Sequence, residues 1–260
     1  MAAPQAEEIY ERTREEGRRR LSRPVLELGA TALVGGFDVA FGIAVFGLTA
    51  AAVVSRIGVQ AAELVGAIGF GIGFVFIVVG RSELFTENFL VPITGLTRDR
   101  GSWVKLVELW VVSLAFNLAG GALIAIVLTS HGVLKQGTSD AILRLANHVA
   151  HYSPGTSFVS GLAAGALMTL MTWFVEGAAE SMGVRIVMAW IVGFVLVLGT
   201  FNHAIVGTLE LFYGIRFGAD IGYDQLFANL GIAVAGNLVG GLVLVTFARS
   251  AQALGAPSRS

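Results

Sequence analysis

The amino-acid sequence predicts an all-α membrane protein with six transmembrane helices in two inverted three-span repeats, two of the helices being broken. Three observations lead there. Charged residues make up 13% of the 260-residue chain and hydrophobic ones 55%, with a mean hydropathy of +0.77; a soluble domain is about one quarter charged. Apolar stretches long enough to cross a hydrocarbon core about 30 Å thick recur along the chain. Two sequence signatures also repeat at one constant offset of 120 residues.

The remaining charge is concentrated at one end. Residues 1–27 hold 12 of the 35 Asp, Glu, Lys and Arg residues. They lack the apolar stretch and small-residue cleavage site of a signal peptide. Spacings such as Glu8–Arg12, Glu15–Arg19 and Glu16–Arg20 instead predict a charged, solvated helix or tail over residues 1–28. Spans are expected at about 31–55, 63–80, 103–129, 155–180, 184–200 and 225–248, all within a membrane domain at 29–250. The repeats cover about 29–130 and 150–250, and residues 251–260 form a tail.

An even number of crossings puts both termini on one side. That side gathers the N-terminal arginines with Arg98, Arg100, Lys105, Arg185, Arg249 and Arg259, against Arg56, Lys135, Arg144 and Arg216 on the other. The positive-inside rule then places both termini in the cytoplasm, with the chain integral to the plasma (inner) membrane. No cysteine occurs, which removes disulfides and thiolate-bound metals. No cofactor, metal site, catalytic residue or nucleic-acid partner is expected; the partners are the lipid bilayer and whatever solute the membrane domain handles.

Gly73-Phe74-Val75 recurs as Gly193-Phe194-Val195, and the Asn-Leu-x-Gly-Gly signature at 117–121 recurs at 237–241. A duplicated unit with an odd number of spans enters the membrane from opposite faces, giving a pseudo-two-fold axis in the membrane plane. Polar interruptions separate the second and fifth spans from further apolar pieces at 88–96 and 204–217. At the same offset Arg81-Ser82-Glu83 faces Phe201-Asn202-His203. Non-helical backbone at membrane depth is tolerated where it is buried in protein or lines a cavity, and paired interruptions point to a solute site. His203 is a functional candidate because ionisable groups within a span are rarely placed there without a role. Arg81, Glu83 and Glu87 add charge around the first break. An Arg81–Glu83 or Arg81–Glu87 ion pair is their structural explanation, and attraction of anions by Arg81 the alternative.

Glu83-Leu84-Phe85-Thr86 after a Gly-rich span, Phe-x-His at 201–203 and the paired Asn-Leu-x-Gly-Gly signatures resemble the formate/nitrite transporter family over about residues 30–250. The resemblance implies an aquaporin-like protomer, a homopentamer, and one anion pathway per protomer for monovalent weak-acid anions such as formate or nitrite. It implies a substrate pathway at His203, Thr86 and Asn202, an outer apolar constriction at Leu84 and Phe85, and an inner one at Phe70, Phe74 and Leu196. His203 would act as proton donor or relay, so that protons are also partners. Apolar constrictions resist bare anions, and imidazole is the side chain that titrates nearest the working pH. A competing mechanism leaves the proton out and uses Thr86 and backbone N–H groups. Asn202, Gly207, Ser160, Gly165 and Val149 stand where the family often has Glu, Asn, Arg, Asn and Lys, which marks a divergent branch. Other functional readings are a neutral-solute channel, for which Asn-Pro-Ala motifs are absent, an intramembrane hydrolase, for which no nucleophile motif occurs, and a non-transporting structural or regulatory membrane protein.

Overall fold

The computed structural model describes residues 4–255, which form helices joined by short connections, with no strand among the described residues. Arg259 and the end of the expected tail lie outside the described residues. Helix α1 (Ala6–Leu21) leads through Pro24 into α2 (Val25–Ile57). Gly58, at φ 80°, reverses the chain into α3 (Val59–Gly80), which stops at Arg81 in the left-handed conformation. The first break follows as extended chain, a single 3-10 turn at Phe85–Phe89 and the short α4 (Val91–Gly95).

Asp99 caps α5 (Arg100–Leu128) by accepting the Ser102 N–H at 2.9 Å. Helix α6 (Thr138–Ala150) precedes α7 (Pro154–Gly177), which Ser153 caps through the Thr156 N–H at 3.1 Å. The second break separates α8 (Met182–Leu198) from α9 (Val206–Arg216). Helix α10 (Tyr223–Val239) then continues through a π-helical segment, Gly240–Thr246, into α11 (Phe247–Leu254).

Five helical stretches among the described residues are long and apolar enough to cross a membrane: α2, α3, α5, α7 and the continuous Tyr223–Leu254. The sixth expected span is α8, an apolar helix of 17 residues that ends at the break. Leu26, Val111, Val159, Phe227 and Phe247 are exposed on the outside of the bundle, as an envelope facing lipid requires. Helix α1 packs against α4 and α11, and Arg12 pairs with Glu180 at 3.1 Å. The N-terminus, the α7–α8 connection and α11 therefore share one face, called here the terminal face. Thr129 and Arg216, joined at 3.2 Å, lie with α6 on the opposite, distal face.

Packing is matched between the halves. Helix α2 lies against α3 and α5, and α7 lies against α8 and α10. A Cβ on Gly36 would overlap the Asn117 carbonyl, and one on Gly165 the Asn237 carbonyl. Without hydrophobic drive between helices in lipid, such close approach supplies the dispersion contact. The signature glycines also reach across: Gly121 lies against Leu209 of the second half, and Gly241 against Phe89 of the first.

Helix α6 has no counterpart among the expected spans. Ala141, Ile142, Leu145, Ala146 and Val149 form its buried face, a period-3.6 stripe that was legible but too short for a membrane span.

Candidate functional site at the two helix breaks

Each break is held by the asparagine of one repeated signature. Asn117 donates to the carbonyls of Ala32 at 2.7 Å and Glu83 at 2.9 Å, and accepts the Phe85 N–H at 2.8 Å. Asn237 donates to the carbonyls of Gly161 and Asn202, both at 3.0 Å, and accepts the Ala204 N–H at 2.9 Å. A side-chain amide thus replaces the helical partners that each break removes, and a buried backbone group left unpaired would be costly. The equivalence corrects the sequence register by one residue. Glu83 corresponds to Asn202, and Leu84, rather than Glu83, corresponds to His203.

The breaks bring Thr86 and His203 together. Both are fully buried, and the Thr86 Oγ1 lies 2.6 Å from the His203 Nε2. The Val206 N–H donates to the His203 Nδ1 at 3.1 Å. Nδ1 is therefore an acceptor, so the neutral ring carries its proton on Nε2 and donates it to Thr86. The turn that makes this possible is the start of α9, whose first free N–H groups fold back on the histidine three residues earlier.

Phe70, Phe74, Leu84, Phe85 and Leu196 are all buried in the apolar core that surrounds this pair. Phe70 and Phe74 pack with ring centroids 5.6 Å apart, and Phe85 meets Phe89 edge-on at 5.1 Å. A cavity of about 590 Å³ opens on the terminal face, reaching Ile77, Val78 and Glu83. A smaller one of about 280 Å³ on the distal face reaches Phe46, Leu198 and Thr200. The expected label of one constriction conflicts with the expected side of the termini. The loop bearing Leu84 and Phe85 opens toward α1, whereas Leu196 lies near the distal end of α8. Leu84 and Phe85 thus lie toward the face that carries α1, so an outer constriction at these residues and a cytoplasmic N-terminus cannot both hold.

The charged residues of the first break also differ from expectation. Arg81 is exposed, and no ion pair joins it to Glu83 or Glu87 among the described residues. Glu83 pairs instead with Arg23 and, at 3.4 Å, with Arg20. Arg20 also donates to Asn88 Oδ1 at 3.0 Å and meets Glu16 at 3.1 Å. The Glu87 carboxylate is turned inward to its own loop, accepting the Leu84 N–H at 2.9 Å. Helix α1 is accordingly docked rather than solvated: Gly17 lies against the Val91 carbonyl and Gly95, with Arg20 and Arg23 half-buried beside Glu83. The signal for this was available in the sequence, since a carboxylate at a membrane break needs a counter-ion and the arginine-rich stretch is the nearest supply.

Asn202 does not join Thr86 and His203. Its amide donates to Ser157 Oγ at 2.6 Å and Asn229 Oδ1 at 2.9 Å, and accepts from Asn229 Nδ2 at 3.1 Å. Its own N–H donates to Ser160 at 2.9 Å. Three departures from the family pattern thus belong to one cluster, because Gly207 leaves the space that Asn202 Oδ1 fills. Val149 is buried against α9 and α10 and presents no charge to either cavity.

Comparisons with known proteins agree with this architecture. The model of the Formate/nitrite transporter family matches residues 7–251. The chain is 26% identical over 247 residues to the inner membrane protein YfdC of Escherichia coli (strain K12), covering 94% of this chain and 77% of that one. It is 23% identical over 252 residues to the formate channel BtFdhC of Bacillus thuringiensis, covering 95% of both. A pentameric formate channel with formate bound superposes with a TM-score of 0.74 at 20% identity, over 88% of this chain and 98% of that one. An FNT family ion channel superposes at 0.78 with 17% identity, over 96% and 99%. The chain belongs to the formate/nitrite transporter family, a family of channels and transporters rather than enzymes.

Proposed function

We propose that the protein is a channel or transporter for small monovalent weak-acid anions, formate, nitrite or a similar species. The transport domain is residues 29–250, built as two inverted repeats, and sits in the inner membrane with both termini cytoplasmic. A homopentamer with one pathway per protomer is the assembly this reading carries over from the pentameric formate channel it resembles. The single observation that carries the proposal is the Thr86–His203 contact of 2.6 Å between two apolar constrictions.

An anion entering that zone loses its water to an apolar lining, which opposes passage of the charged form. Taking up a proton makes the solute neutral and removes most of that penalty. In the proposed relay His203 first becomes an imidazolium, protonated on both ring nitrogens. It then passes its Nε2 proton to the Thr86 hydroxyl as that hydroxyl gives its own proton to the anion, which leaves the ring neutral. The Val206 N–H occupies Nδ1, so a second proton can enter the ring only after that bond opens. Transfer is therefore coupled to movement at the start of α9. Leu84 and Phe85 on one side, and Phe70, Phe74 and Leu196 on the other, keep bulk water from the pair.

Flux of formate, nitrite, hydrosulfide and chloride into proteoliposomes, with and without a pH gradient, tests the function. The expected result is weak-acid flux that rises as external pH falls and is strongly reduced in His203→Ala. Normal flux in that variant removes the relay, and water or glycerol flux without anion flux favours a neutral-solute channel.

A further inference from the structure

Helix α6 carries a second stripe that neither the fold nor the break pathway uses. Arg144, Asn147, His148 and His151 are spaced i, i+3, i+4 and i+7, which places them on one side of the helix. The other side is buried through Ile142, Leu145, Ala146 and Val149. The polar stripe faces an open cavity of about 490 Å³ at the distal surface. Arg144 and His148 also line the narrower 280 Å³ cavity that ends at Leu198 and Thr200. These two side chains therefore stand where the open mouth narrows toward the second break.

The stripe is physically joined to that break. Tyr152, one residue beyond His151, reaches the Thr200 carbonyl and hydroxyl, each at 2.8 Å. Thr200 is held in the left-handed conformation three residues before His203. His148 packs edge-on to the Tyr152 ring with centroids 5.4 Å apart.

The guanidinium of Arg144 is not consumed by the fold. Among the described residues its one ion pair is with Glu63 of α3, at 3.4 Å from Nε, and that Nε has no hydrogen-bond partner. A planar fork of N–H donors beside an apolar wall suits a planar oxyanion. Glu63 partly neutralises it, and the remaining lining of the narrow cavity is apolar or uncharged apart from His148.

We propose that Arg144 and His148 form the distal loading site of the pathway, holding a small planar monovalent oxyanion, a carboxylate or nitrite, before it passes Thr200. This rests on the anion reading above. Arg144 supplies the attraction and one face of the carboxylate contact, His148 supplies an N–H donor, and Glu63 sets how strongly the site holds. The site binds but does not drive the later step, so its removal acts on KM rather than on the maximal rate.

Concentration-dependent formate uptake at constant pH and low ionic strength, in cells of a host without a formate channel of its own, tests this. Arg144→Gln is expected to raise KM about two- to fivefold, the range of a partly exposed charge contact, with the maximal rate nearly unchanged. His148→Ala is expected to shift KM in the same direction. Glu63→Gln is expected to lower KM, a gain that misfolding cannot imitate. Lys135→Gln, on the same face but outside both cavities, keeps the wild-type KM. Wild-type uptake that depends on His203 but has an unchanged KM in Arg144→Gln and Glu63→Gln overturns the loading site alone. Absence of formate uptake by the wild type, with water or glycerol uptake present, overturns the anion reading and this site with it.

Discussion

Asn202 and Gly207 are a steric pair: the Asn202 Oδ1 lies 2.8 Å from the point where a Cβ on Gly207 would stand. The break before His203 is therefore packed by a side chain from one position into a gap left at another. Gly207→Ala forces Asn202 out of its contacts with Ser157 and Asn229. We expect a loss of about 1–3 kcal/mol, the usual range for overpacking, read as a lower melting temperature in detergent. Asn202→Ala in the same background should relieve the overlap, so the double variant loses less than the sum of the single ones.

Thr86→Val tests the hydroxyl without changing the side-chain shape much. It leaves the Nε2–H of His203 buried without its acceptor, at about 1–3 kcal/mol. Weak-acid flux is expected to fall strongly while the protein stays assembled. Thr86→Ser, which keeps the hydroxyl, should retain most of the flux; equal flux in the Val and Ser variants would remove Thr86 from the pathway.

Asn117→Ala and Asn237→Ala should be alike. Each amide makes two bonds to the break in its own half and one to a carbonyl of the neighbouring α2 or α7. Each truncation leaves buried backbone groups unpaired, so both variants are expected to melt earlier by similar amounts. A large effect from one and none from the other would show that the breaks are not supported equivalently.

Helix α1 should loosen in acid. Burial raises the Glu16 carboxyl, but the hydrogen bonds and charges of Arg19 and Arg20 outweigh it and hold the group below its ordinary 4.5. Arg20 is likewise held charged: burial opposes its charge, and Glu83, Glu87 and Glu16 favour it. A carboxylate lowered in the folded state contributes stability above its unfolded value, and that contribution disappears as pH falls through the folded value. Protection of the α1 amides, measured against the intrinsic exchange rate at each pH, should thus be high at neutral pH and fall below about 4.5. Arg20→Gln should lower that protection at neutral pH, because it leaves the buried Glu83 less compensated.

What the sequence determined by itself was whatever depends on composition and period. Low charge and long apolar runs required a helical membrane protein, and the 120-residue offset located both breaks and the asparagines that support them. An ionisable residue within a span also marked His203, and the resemblance to the family added Thr86. Tertiary structure decided the partners themselves. Glu83 and Arg81 are neighbours in the chain, yet Glu83 is neutralised by Arg20 of α1 and by Arg23 just beyond that helix. Asn202 and His203 are adjacent, yet successive residues in an extended break point apart, so one enters the α7–α10 cluster and the other meets Thr86. Which break opens toward the terminal face was likewise decided by the direction in which α3 and α8 arrive there. Local pattern specifies which residues must be buried or paired; only the packed helices specify with whom.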